Sequence, residues 1–343
     1  MGIETSCDET AIGIVESSLN AQLSLKIRAN VLATQIPLHA PYFGVVPELA
    51  SRAHLEKING VLRRALEQSG LNLDPSRLAG RLDAISYTRG PGLKGALLVG
   101  EQAARALALA LGKPALGIHH LEAHLAAVLF EHPDVRPPFV GLVVSGGHTD
   151  LICVSRWGSY RVLGRTLDDA CGEAFDKFAK MLKLGYPGGP IVDRMAQSGD
   201  PGAVAFPRPY LENSWSFSFS GLKTSALYRI RDHGVPKSKG ALNDLAASYQ
   251  EAICDTLLFK TKKALRSLRL DTVVAAGGVA ANTRLRGMFR EAAVREGWKV
   301  YFPSPSLCTD NGAMVAALGA LRIASRARLD DGFVDPSLPF SRW

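Results

Sequence analysis

Short apolar runs broken by polar turns recur along the chain. Ile3-Glu4-Thr5-Ser6-Cys7-Asp8-Glu9-Thr10 leads into Ala11-Ile12-Gly13-Ile14-Val15, and Val140–Val144 runs into Ser145-Gly146-Gly147-His148-Thr149-Asp150 and on into Leu151–Val154. Each reads as strand, tight polar turn, strand. Two such hairpins about 140 residues apart imply a duplicated domain, each copy presenting one turn to a shared cleft. Between them the periodicity changes. Leu49, Ala53, Ile58, Leu62 and Leu66 fall at helical spacing behind Pro47. Asp83–Thr88 reads as a strand, Gly95–Leu111 as a helix and Ala115–Ile118 as a strand. This alternation predicts an α/β fold with parallel pairing. Residues 165–240 turn helical and loop-rich, as an insertion over the cleft would. Strands return at Thr272–Ala275 and Lys299–Phe302 around a helix from Thr283 to Glu296, and a last helix runs from about Asp310 to Arg326. The polar tail beyond Asp330 reads as loose.

At 343 residues the chain favours two subdomains. Hydrophobic residues at 47% and charged residues at 21% exclude a largely disordered chain. The most apolar stretch, Ala96–Leu111, contains Glu101 and Arg105 and reads as a buried helix rather than a membrane span. Glu4, Asp8 and Glu9 come too early for a secretory leader, so a cytoplasmic protein is expected, with no membrane contact. Cys7, Cys153, Cys171, Cys254 and Cys308 form no CxxC pair, which argues against a disulfide framework. A net charge of +8 favours an anionic partner.

His120 and His124 stand one helical turn apart, so both imidazoles share a face, as two metal ligands require; a capped helix with solvated histidines is the alternative. A zinc-protease motif needs Glu directly after the first His, where Leu121 stands, and Glu122 lies on another face. A third ligand must come from far along the chain, and Asp310, where a loop enters the last helix, is the best candidate. Two His and one carboxylate suit Fe(II) or Zn(II).

Gly90-Pro91-Gly92-Leu93-Lys94-Gly95 matches GxGxxG, but the next strand ends in Ile118-His119-His120 without the ribose-binding acid, so it reads as a tight strand–helix turn. Ser145–Thr149 and Ala276–Asn282 are stronger, because paired glycines let backbone N–H groups approach a phosphate or sugar. Asn282 can also act simply as a helix N-cap. Asp168, Asp169, Glu173, Asp176 and Asp193 gather near Gly172 and Gly188-Gly189, and Asp193 can reach a ribose or a metal-bound group. Lys260, Lys263, Arg266 and Arg269 form one basic stripe and Arg284, Arg286, Arg290 and Arg295 another; these are solvated faces, or nucleic-acid contacts only if they flank the cleft.

Taken together, these motifs resemble the tRNA N6-adenosine threonylcarbamoyltransferases, formerly called O-sialoglycoprotein endopeptidases, over nearly the whole chain. The carriers are Gly2–Thr10, Pro47–His54, Gly90–Gly95, His120–His124, Val144–Thr149, Gly172–Lys177, Tyr186–Pro190, Phe217–Lys223, Gly277–Asn282 and Thr309–Gly312. Phe217–Lys223 and His148 resemble the bacterial or organellar branch. The resemblance implies the actin-like, sugar-kinase and heat-shock-ATPase superfold, with two duplicated subdomains and a central cleft. Subdomain I is expected at 1–118 plus 311–330 and subdomain II at 119–310. It assigns one divalent metal per subunit, Fe(II) with Zn(II) as the alternative, to His120, His124 and Asp310. It assigns the threonylcarbamoyl-adenylate pocket to Val143, Val144, Ser145, Gly146, Gly147, Asp176, Gly189, Asp193 and Asn282. The family has a few apolar residues ahead of the counterpart of Gly2, so a short first strand is expected. The implied reaction is metal-dependent acyl-type transfer to N6 of adenosine 37 in tRNAs reading ANN codons, with Glu9 or Asp8 assisting proton removal. An ATPase or sugar kinase of the same fold is the alternative. A paralogous non-catalytic subunit, a small ATPase and a homodimer are the implied protein partners.

Overall fold

Polar residues 5–8 break the first apolar run into antiparallel strands β1 (Gly2–Glu4) and β2 (Glu9–Leu19), with Ile3 opposite Ile12. β3 (Leu23–Thr34) continues the meander, and β4 (Ile85–Gly90) and β5 (Ala115–His119) add in parallel on the other side, giving the order β3-β2-β1-β4-β5. Parallel neighbours require crossovers, which α1 (Pro47–Gln68) and α2 (Lys94–Leu111) supply. Pro47 opens α1, and Ala50, Ala53, His54, Ile58, Val61 and Ala65 form its buried stripe. A seven-residue helix, α3 (His120–Ala126), follows β5 directly. The coordinates are a computed structural model that describes residues 1–19, 23–71, 74–211, 214–327 and 332–340.

The second sheet repeats the pattern. β6 (Phe139–Val144), β7 (Thr149–Arg156) and β8 (Ser159–Arg165) form the meander, and β9 (Thr272–Ala276) and β10 (Lys299–Tyr301) add in parallel beside β6. Its order, β10-β9-β6-β7-β8, is that of the first sheet read from the other edge, so the duplication expected from the hairpins is present. Between β8 and β9 run α4 (Cys171–Met181), α5 (Gly188–Ala196), α6 (Ser220–His233) and α7 (Lys239–Leu268), and α8 (Thr283–Glu296) joins β9 to β10. Phe175, Phe178, Phe217, Phe219, Tyr249 and Phe289 centre this core, with Tyr249 stacked on Phe178 at 4.0 Å.

The final helix, α9 (Gly312–Ala324), returns to the first sheet and lies on β1 and β2. A Cβ at Gly2, Gly13 or Gly312 would fall less than 3.0 Å from backbone atoms across this contact. Only glycine permits so close an approach. Met1–Val135 with Thr309–Trp343 therefore forms one compact unit and Arg136–Cys308 the other. The boundary expected at residue 119 is displaced, because α3 is buried throughout and stays with the first sheet. Arg322 of α9 ties it there, donating to Gly117 O at 2.9 Å and to Glu122 Oε2 at 3.4 Å.

The loose tail expected beyond Asp330 is corrected over residues 332–340. Gly332 O accepts from Tyr87 Oη at 3.0 Å, Phe333 O from Arg89 Nε at 2.8 Å, and Pro336 O from Gly92 N at 3.2 Å. Phe340 stacks on His119 at 4.4 Å. The tail's carbonyls satisfy donors of β4 and its loop, which polarity along the chain does not reveal.

Candidate functional site

In unit 1, α3 starts where β5 ends, and the one-turn spacing places both imidazoles on the side facing the entry to α9. His124 Nε2 lies 3.1 Å and His120 Nε2 3.6 Å from Asp310 Oδ1. The rings stand edge to face at 4.7 Å, and all three ligand atoms fall within 4.8 Å of one another. Ligands about 2.1 Å from one ion lie roughly 3.0–3.5 Å apart, so the cluster fits a transition-metal centre with open positions. Both histidines are buried, and Asp310 reaches the surface. Burial opposes a charge on His120, yet Glu4 and Asp310 outweigh it and hold the imidazole at about 9. The site thus favours a cation between these groups. Glu122 is engaged with Arg322 rather than with the cluster, so the protease arrangement is absent.

In the same unit Asp8 closes the β1–β2 turn and Glu9 opens β2. Gln35 N donates to Asp8 O at 2.9 Å, and His54 of α1 bridges Thr10 Oγ1 at 2.8 Å and Cys7 O at 3.0 Å, pinning the turn from both sides. Glu9 Oε1 accepts from Thr34 Oγ1 at 3.0 Å, while Oε2 is buried without a hydrogen-bond partner among the described residues. Burial first, then the charge of Asp8, lifts the Glu9 carboxyl to about 8. Burial and Asp310 also raise Asp8. A carboxyl titrating so close to neutrality suits proton transfer.

In unit 2 the candidate adenylate residues form a connected circuit. Val143 and Val144 are fully buried in the ladder, opposite Asp150 and Thr149, so they hold the loop Ser145–His148 and present no side chain. Gly172 N donates to Ser145 O at 3.2 Å, and Gly277 at φ +93° packs on Val144 O. Gly188 N donates to Asp176 Oδ1 at 2.6 Å, joining α4 to the start of α5. Asp193 of α5 accepts from Thr283 N at 3.1 Å and Thr283 Oγ1 at 2.8 Å. Asn282 caps α8 through Leu285 N at 2.9 Å and donates to Gln250 Oε1 at 2.7 Å. The capping expected of Asn282 is present, and Asp193 serves the same helix start. Cβ atoms built at Gly146, Gly147, Gly189 and Gly278 would meet no atom within 4 Å. Backbone left that open suits the approach of a phosphate or sugar.

Within the basic stripes, Lys260, Arg284 and Arg286 serve the fold. Lys260 is fully buried and donates to Leu211 O at 2.9 Å and Ser214 O at 2.5 Å. Arg284 forms a bidentate pair with Glu251 at 2.6 and 2.7 Å, and Arg286 donates to Ala280 O and Pro303 O at 2.7 and 2.5 Å. Glu4, Gln250 and Thr283 contact the candidate residues and escaped the sequence analysis as site residues; an acid closing the first apolar run was the one available signal, at Glu4.

The repeated sheet order gives the chain the actin-like, sugar-kinase and heat-shock-ATPase superfold, and the buried two-histidine, one-carboxylate cluster is set within it. Accordingly, the crystal structure of T. kodakarensis HypF matches with a TM-score of 0.60 at 16% identity, over 96% of this chain and 50% of that one. Residues 26–317 match the tRNA N6-adenosine threonylcarbamoyltransferase family, to which the chain belongs. It is 46% identical to the tRNA N6-adenosine threonylcarbamoyltransferase of Endomicrobium trichonymphae over 344 residues, covering 99% of this chain and 98% of that protein. Identity is 51% over 321 residues with the protein of that name from Anaeromyxobacter sp. strain Fw109-5, covering 93% of this chain and 92% of the relative.

Proposed function

We propose that this chain transfers the threonylcarbamoyl group from threonylcarbamoyl-adenylate to N6 of adenosine 37 in tRNAs reading ANN codons, in the cytoplasm. The convergence of His120, His124 and Asp310 in a chain of this family is the observation that carries the reading. In the reaction the adenine N6–carbonyl bond forms, the carbonyl–phosphate oxygen bond breaks, AMP leaves and N6 loses a proton. The amine is a poor nucleophile because its lone pair feeds the ring, so positioning and a base matter most. Glu9 accepts the proton at its unpartnered oxygen, and Asp8 keeps that carboxyl basic. Backbone N–H groups at Gly146, Gly147 and Gly189 receive the adenylate, with Asp176, Asp193 and Asn282 holding the loops that present them. His120, His124 and Asp310 would hold one Fe(II) or Zn(II), which supplies Lewis-acid polarisation of the threonylcarbamoyl carbonyl. A paralogous non-catalytic subunit and a small ATPase complete the working assembly, and a homodimer is the alternative state of this chain.

Mass spectrometry of tRNA nucleosides after incubation with threonylcarbamoyl-adenylate, with and without the partner proteins, tests the reading. Threonylcarbamoyladenosine is expected. Its absence in both arms, alongside ATP turnover without tRNA, would establish an ATPase or sugar kinase instead.

A further inference from the structure

We propose that Glu4 is a positioning residue for the metal centre: its carboxylate accepts a hydrogen bond from His120 Nδ1–H and so directs the Nε2 lone pair at the ion. The inference rests on the metal reading above. Glu4 is the last residue of β1, where the ladder to Ala11 fixes its backbone, and it is fully buried. Its oxygens are held by three donors. Ser6 N donates to Oε1 at 2.5 Å, and Thr88 Oγ1 donates to Oε2 at 2.6 Å. His120 Nδ1 approaches the same Oε2 at 3.1 Å.

An ionised carboxylate can only accept, so the Nδ1 contact requires the proton to sit there. The opposite ring nitrogen then faces Asp310 Oδ1 at 3.6 Å, where either a second ring proton or a bound metal ion stands between the two. A metal-bound imidazole whose remote N–H is given to a carboxylate has its tautomer and ring plane fixed and its basicity raised. A purely structural ion pair needs no particular nitrogen, whereas this geometry spends Nδ1 on Glu4 and reserves Nε2. His124 shows the contrast, because its buried Nδ1 has no hydrogen-bond partner among the described residues. His120 is therefore the oriented ligand and His124 the adaptable one.

The test uses the full chain loaded with Zn(II), with metal affinity read by competition against a chelator. Glu4→Gln preserves shape but lacks the charge, and its dissociation constant is expected to rise by about 10–100-fold, with the fold of the metal-free protein unchanged by circular dichroism. Thr88→Val keeps the carboxylate but removes one clamp, and a smaller weakening is expected. Nitrogen-15 shifts of His120 supply a readout that a merely structural role would not move: the proton should sit on Nδ1 and the Zn(II) on Nε2. An unchanged dissociation constant in folded Glu4→Gln, or Zn(II) on Nδ1, overturns the proposal. If Glu4→Gln fails to fold, an unchanged constant in Thr88→Val overturns it instead. Failure of the wild-type chain to bind Zn(II), Fe(II) or Co(II) removes the metal reading alone. In that case the neutral His120 ring of the metal-free protein decides, with a proton on Nε2 overturning the role of Glu4.

Discussion

At the scale of single residues, three side chains on one oxygen-centred cluster divide the work unequally. His124 contributes through Nε2 against Asp310 at 3.1 Å. His124→Ala is expected to weaken metal binding by at least about 100-fold and to abolish transfer, as loss of one of only three protein ligands should. Metal content after purification and the modified-nucleoside assay check both. Unchanged transfer by metal-free variant protein would take the ion out of the chemistry. Glu9 offers a second test through pH. Its carboxyl rises from 4.5 to about 8 on folding, so between those values the folded state holds a proton that the unfolded chain has released. Its contribution to stability is complete below about 4.5 and is lost as pH rises through about 8. Glu9→Gln removes that slope. The variant should be more stable than wild type at pH 8 by on the order of 2 kcal/mol and indistinguishable near pH 4, read by urea unfolding across the range. It should also lose transfer, the usual exchange of stability for function.

Elements meet their neighbours through glycines that are not equivalent. Gly277 follows β9 at φ +93°, and a Cβ there would fall less than 3.0 Å from Val144 O, whereas Gly278 faces open space. Gly277→Ala is therefore expected to cost about 2–4 kcal/mol through strain and backbone clash. Gly278→Ala should be near neutral in stability while weakening adenylate binding. Denaturant midpoints and adenylate titration separate the two, and equal destabilisation by both would contradict the open face. Asn282 adds a helix-level effect. Asn282→Ala loses the α8 cap and leaves Gln250 Oε1 without its donor, for about 1–3 kcal/mol. Asp193 on Thr283 N retains part of the cap, which places the expected loss toward the lower end.

Across the whole molecule, the two units are built differently along the chain. Arg136–Cys308 is continuous and owns a five-stranded sheet with its aromatic core, while the first unit needs its distant C-terminal segment. A fragment of residues 136–308 is expected to fold alone and unfold cooperatively on heating. Residues 1–135 alone should not, because α9 covers β1 and β2 at backbone distance. Circular dichroism melts of the two fragments check this, and a cooperative transition for 1–135 would contradict it. No helix among the described residues is long and apolar enough to cross a membrane. None of the five cysteines forms a disulfide among the described residues.

What the chain's own pattern determined is local. Apolar spacing marked α1, α2, α8 and the second hairpin within a residue or two of their observed ends, and the first hairpin too except that β2 runs four residues past Val15; one-turn spacing paired His120 with His124. These features depend on backbone periods and turn chemistry, which short stretches encode. β3 and β8 escaped because their half-buried patterns are irregular, as Leu23–Thr34 shows. Only the tertiary structure decided that Glu4 stands behind His120, that Lys260 and Arg286 serve backbone carbonyls, and that residues 332–340 dock on β4. Each of these depends on groups far apart in the chain, where burial and the need to satisfy every buried polar atom choose the partner. Short-range spacing carries no record of that choice.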